Sequence, residues 1–212
     1  MTGQVDGAIA SSKNESVKAP PATDEKEPDG EILPKLSAAE FRSYNGIAEN
    51  MAHVHGLFRR TWQTIYTACT NNQLPSNMDE EDFLSLTMNF CHQLSMHHSI
   101  EEQHVFPLLA ARMPDFKPEH DTAELLEQHR RIHDGMEVLQ GYLAEVRLGE
   151  TELELPVMKE KVVFWADVLL RHLDDEVVAL GAENMRKYWS LAEMRSMPMG
   201  RGGGWGDSTN GN

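Results

Sequence analysis

In this 212-residue chain His97 stands four residues before Glu101, His172 four before Glu176, and two histidines four apart occur once, as His129 with His133. On a helix, residues four apart share a face, so each pair aims two donor groups in one direction. Imidazole with carboxylate is a borderline-to-hard ligand mixture that suits iron, manganese or zinc. All 10 histidines lie between His53 and His172, and that clustering asks for a chemical explanation.

Inward positions of a helix recur every three or four residues, so each histidine can be tested by what shares its stripe. The stripe Tyr44, Ala48, Met51, His55, Phe58, Trp62, Ile65, Cys69 is apolar except at His55, whereas that of His53 holds Gly46, Glu49, Gly56 and Arg60. His55 is thus expected in the core and His53 in water. The stripe Phe90, Leu94, His97, Glu101, Val105, Leu108 is more apolar than its rival Cys91, Ser95, His98, Glu102, so His97 and Glu101 are preferred over His98 and Glu102. His104, three after Glu101, has the Glu-x-x-His spacing of ferritin-like sites but reads more readily as a rim or surface residue. His129 and His133 continue into Met136, Gln140 and Leu143, and Trp165, Val168, His172, Glu176 and Ala179 repeat the earlier pattern.

A lone histidine on an apolar face is ordinarily a hydrogen-bonded core residue. Five imidazoles and two carboxylates in one core are different, because each unpaired buried ion costs several kcal/mol. A bound cation removes that penalty, and the lack of inward cysteine ligands argues against a structural zinc site. Two octahedral ions offer about 12 positions; five imidazoles, two bridging carboxylates and a bridging oxo or hydroxo group leave about one open.

The elements that must carry these residues are helices. Ser37 and Glu40 form a capping-box signature, and helical spacing runs from there to about Asn71. After a turn segment with Pro75, acidic residues at 79–81 favour the start of a second helix reaching about Met113, with Pro107 placed to kink or re-register its last turns. A third helix is expected from about Glu119 to Leu148, stopped by Gly149, and a fourth from near Pro156 past Leu180, followed by a break at Gly181 and a short helical stretch through Met194. Strand alternation is absent. The fold class expected is all-α, an up-down-up-down antiparallel four-helix bundle over residues 36–195. Residues 1–35, acidic and polar, and the Gly-rich residues 196–212 are expected to be disordered tails.

A net charge of −15 and the lack of a basic stripe argue against nucleic acid as a partner. No apolar run approaches the roughly 20 residues of a membrane span. The two cysteines, Cys69 and Cys91, fall within helical apolar patterns, as buried thiols of a reducing compartment do, so a cytoplasmic location is expected. Nothing in the sequence announces an oligomeric state.

An inward histidine on the first helix, HHSIEEQHVFP on the second, HRRIH on the third and HLDDE on the fourth together resemble the hemerythrin-like, HHE cation-binding family over roughly residues 40–180. That resemblance implies two non-haem iron ions held by His55, His97, Glu101, His129, His133, His172 and Glu176, with the two glutamates bridging. The oxygen-carrying hemerythrins end on an aspartate five residues after its histidine, whereas Glu176 follows His172 by four, so fold and cofactor transfer more safely than oxygen transport. The first expectation is a protein that binds or senses dioxygen, nitric oxide or iron, with Phe58, Trp62, Trp165 and Val168 keeping water out. The alternative is a di-iron oxidase, peroxidase or oxygenase acting on a small organic substrate, with His104, Tyr66 or Glu102 as the proton source. Iron storage ranks last, because nothing signals shell assembly.

Overall fold

The computed structural model describes residues 33–117 and 124–197, and every regular element among them is helical. The expected tails, 1–35 and 196–212, lie almost wholly outside the described residues, as does the expected start of the third helix at Glu119.

Helix α1 spans Ala38–Asn71 and opens on the anticipated capping box, Ser37 accepting from the Glu40 amide and Glu40 accepting from that of Ser37. It ends on Asn72 in the left-handed region, φ 50°, a conformation that asparagine tolerates better than most residues. Helix α2, Glu80–Ile100, begins on Asp79, which forms a second capping box with Asp82. The helical path then continues through a π turn, Glu101–Val105, into α3, Phe106–Ala110. Pro107 has no amide hydrogen, so a regular ladder cannot continue past it; instead the Phe106 N–H reaches back to the Glu101 carbonyl. The extra residue in that turn shifts the inward stripe by one. Leu108, expected inward, is half-buried, while Phe106 and Leu109 are buried.

Helix α4, Glu124–Arg147, stops at Gly149, whose φ of +72° and hydrogen bond to the Val146 carbonyl, with Glu150 bonding that of Glu145, form a Schellman-type end. Helix α5 spans Leu155–Ala179, and after Gly181 come two short helices, α6 at Ala182–Tyr188 and α7 at Leu191–Ser196. Helix α1 packs on α2 and α5, and α4 packs on α2 and α5, which closes the four long helices into the expected bundle.

The apolar interior has two parts. One, around Trp62, Phe90, Leu139 and Trp165, fills the bundle toward the α1–α2 turn. The other, around Met51, Phe106, Met113, Met185 and Trp189, is closed by α6 and α7. The Tyr44 hydroxyl donates to the Trp189 carbonyl, and Arg112 pairs with both Glu193 oxygens while lying over the Trp189 ring, so the end segment is tied to α1 and to the chain just after α3. The histidine-rich layer lies between these cores, since His55 is one turn from Met51 on one side and from Phe58 on the other.

Candidate metal centre

All four long helices bring polar groups into this layer. His55 comes from α1, His97 and His98 from the last turn of α2, Glu101 from the first residue of the π turn, His129 from α4, and His172 and Glu176 from α5. All seven are at most 5 % exposed.

Their donor atoms form two groups, within each of which all atoms lie within 4.8 Å of one another. One group is His98, Glu101, His129 and His172; the other is His55, His97, Glu101 and Glu176. Glu101 is shared. Its Oε1 lies 2.8 Å from His97 Nε2 and its Oε2 lies 3.5 Å from His129 Nε2, so one carboxylate spans both groups. Glu176 Oε2 lies 3.3 Å from His55 Nε2 and 3.7 Å from His172 Nε2.

Outer partners set the ring orientations. His55 Nδ1 donates to the Leu173 carbonyl at 2.9 Å, His129 Nδ1 to Glu102 Oε1 at 2.8 Å, and His172 Nδ1 to Gln128 Oε1 at 3.3 Å. With the proton held on Nδ1, each of these rings turns an Nε2 lone pair toward the centre. Gln128 is itself anchored, its amide donating to Asp175 at 2.8 Å.

Burial favours the neutral form of His97, His98, His172 and Glu101. Burial pushes the His97 imidazole down to about 3, and burial followed by the neighbouring histidines holds His98 and His172 well below the ordinary range. Burial, then Glu176, then Glu102 push the Glu101 carboxyl well above its usual range. Neutral imidazoles are the form that binds metal, and a carboxyl gives up its proton to a cation.

The residues fit a pair of cations. Both nitrogens of His98, Nε2 of His129 and of His172, and all four carboxylate oxygens of Glu101 and Glu176 are buried without an aligned hydrogen bond. Buried polar groups left in that state cost about 1–3 kcal/mol each, and of the ten such side-chain atoms among the described residues eight converge here, the Trp165 and Trp189 indole nitrogens being the others. Metal coordination would satisfy them together.

Of the residues singled out from sequence, His55, His97, Glu101, His129, His172 and Glu176 come together, and His133 does not enter either group. His133 is half-buried, with its ring 5.4 Å from that of His98. His98, ranked behind His97 by the stripe argument, is fully buried and takes part in one group. A bundle interior accepts an arc of helix surface wide enough for two adjacent side chains, and the HH doublet followed by glutamate at spacings of three and four is the signal that favours both. Glu102 is 41 % exposed and supports His129. His104 and His53 are exposed, as expected. Tyr66, three turns beyond His55 along α1, stands roughly 16 Å away by helical rise.

Aromatic rings wall the centre. Phe58 lies 5.2 Å from the His97 ring and 6.2 Å from Phe90, which stacks on Trp165, and Phe106 covers His129 from the other core at 5.1 Å. A cavity of about 460 Å³ lies at the far end of α1, lined by Gln63, Thr67, Asn71 and Ser76.

A model of the family described as the hemerythrin HHE cation-binding domain matches residues 46–177. The chain is also 28 % identical over 153 residues to the dimeric xanthone biosynthesis cluster protein R11 of Cryptosporiopsis sp. (strain 8999), a match that takes in 69 % of this chain and 56 % of that protein. The chain therefore spans little more than half the length of this curated relative. No solved structure matches it.

Proposed function

This chain belongs to the hemerythrin HHE cation-binding domain family, and from that premise we propose that it is a non-haem di-iron protein that binds or senses dioxygen, nitric oxide or iron. The observation that carries the reading is the pair of buried four-residue groups joined by Glu101. One ion would be held by His98, His129 and His172, the other by His55, His97 and Glu176, with Glu101 reaching both. Two histidine-and-carboxylate sites sharing a carboxylate match iron better than a thiolate-demanding metal. When bound, such an ion pair supplies an open coordination position for a small diatomic ligand. The protein's own share is to hold the rings through Leu173, Glu102 and Gln128 and to exclude water with Phe58, Phe90 and Phe106.

The wider setting follows from the same reading. The two buried free cysteines and the net charge of −15 suit a cytoplasmic protein without a nucleic-acid partner, and no helix among the described residues is long and apolar enough to cross a membrane.

A second reading is a di-iron oxidase or oxygenase acting on a small organic substrate. The name of the relative, a protein of a biosynthesis cluster, favours it. Against it stands the aromatic wall about the centre, which suits a diatomic ligand better than an organic one.

Metal analysis of the purified protein with absorption spectra before and after exposure to oxygen tests the proposal. About two irons per chain and a reversible oxygen- or nitric-oxide-dependent spectrum are expected. A chain without iron refutes it, and oxygen consumption coupled to an organic reductant or substrate moves the assignment to the enzyme.

A further inference from the structure

The His-x-x-x-His pair on α4 leaves one imidazole that neither ligand group uses. His133 is half-buried and one turn along α4 from His129, with its ring edge-on to that of His98 at 5.4 Å and 71°. His98 is fully buried, stacked on His129 at 3.9 Å, and neither of its ring nitrogens has a hydrogen-bond partner. On this flank Glu102 has one oxygen on His129 Nδ1 and remains 41 % exposed. Glu102, bonded to His129, and His133, one turn from His129 along α4 with its ring against His98, therefore flank the same stacked pair of buried rings.

A hydrated cation cannot pass in one step into a centre whose ligands are at most 5 % exposed. It must exchange its waters for protein donors one after another, and a donor set at the boundary raises its local concentration while that happens. We propose that His133 and Glu102 form a loading site for the ferrous ion, an imidazole and a carboxylate at the rim from which the ion passes to His98 and into the buried group. Imidazole with carboxylate has the donor character of the centre itself, so the transfer trades like ligand for like. The inference rests on the metal-binding reading above and assigns a kinetic role to the histidine that stands outside both groups.

The test uses the metal-free full chain with ferrous ion added anaerobically, timed aliquots being quenched into a chromogenic ferrous chelator and final content measured by elemental analysis. His133→Ala is expected to slow uptake roughly tenfold, the lower end of what local concentration effects produce, with final content and metal-free Tm unchanged. Glu102→Gln keeps an acceptor for His129, removes the charge and should slow uptake in the same sense. His133→Gln preserves polarity and most of the volume, and serves if the alanine variant unfolds. An unchanged uptake rate in these variants overturns the proposal, and so does a final content lowered by one ion, which would make His133 a permanent ligand. Wild-type protein that takes up no iron at all refutes the metal-binding reading itself, a result distinct from any difference between variants.

Discussion

His97 and His98 are adjacent in the chain, yet their ring nitrogens belong to different ligand groups, His97 with His55 and Glu176, His98 with His129 and His172, while Glu101 belongs to both. Two neighbouring side chains on a helix point about 100° apart, which here is enough to reach two sites across one carboxylate.

Substitution at the three positions should therefore have unequal effects. His97→Ala and His98→Ala are each expected to lower iron from about two per chain to about one, because each removes a ligand from one site only. Glu101→Ala is expected to abolish both. Elemental analysis of the three variants beside wild type decides it; full content in His98→Ala would return the second histidine to a purely structural role.

Outer partners are expected to matter nearly as much as ligands. Gln128→Leu removes the acceptor of the His172 Nδ1 proton and frees that ring to turn, which typically lowers metal affinity by about 10–100-fold. Competition with a chelator of known affinity measures the change. An unaltered affinity would show that packing alone orients His172.

Metal binding is expected to release protons and to weaken in acid. With the His97 imidazole pushed down to about 3 and those of His98 and His172 also depressed, these rings are already neutral at pH 7, so the competing proton is the one on the raised Glu101 carboxyl. Affinity should rise with pH through the titration of Glu101 and then level off. In the metal-free protein, as pH falls from 6.5 toward 3 the unfolded chain holds a proton that folded His97 lacks, so the contribution of His97 to stability is lost over that window, while the raised Glu101 carboxyl acts in the opposite sense. Proton release on iron addition in weak buffer, and Tm of the metal-free protein against pH, test the two statements.

Gly135 sits where α4 meets α5, and a Cβ there would run into the Trp165 side chain, which is 1 % exposed. Gly135→Ala gains about 1 kcal/mol of helix propensity but overfills a packed core, at a cost of about 1–3 kcal/mol. The indole cannot move aside into Phe90 and Trp62, so net destabilisation is expected, read as a lower denaturation midpoint.

The end segment is held by charge as well as by packing. Arg112, then the amide and hydroxyl of Ser190, hold the Glu193 carboxyl down to about 2. A carboxylate with a lowered folded-state pKa stabilises the fold above its unfolded value and loses that contribution as pH falls toward 2. Arg112→Ala should lower Tm and raise amide exchange in α6 and α7 first, while leaving the remainder of the bundle protected.

Much of this architecture is legible in the residue order because helices advertise themselves locally. Ser37 with Glu40, the acidic start at Asp79, Gly149 and the break at Gly181 mark ends, and the three-and-four spacing sorts His55 from His53 without reference to any other helix. Those signals depend on atoms within a few residues of one another. The balance among His97, His98 and His133 does not. It depends on how wide an arc α2 buries against α1, α4 and α5, and on the π turn that begins at Glu101 where Pro107 interrupts the ladder. The outer partners Leu173, Glu102 and Gln128 lie 118, 27 and 44 residues from the rings they orient. No periodicity within one helix can announce such pairings, because they exist only once four helices have packed and the buried polar groups of each must be satisfied by the others.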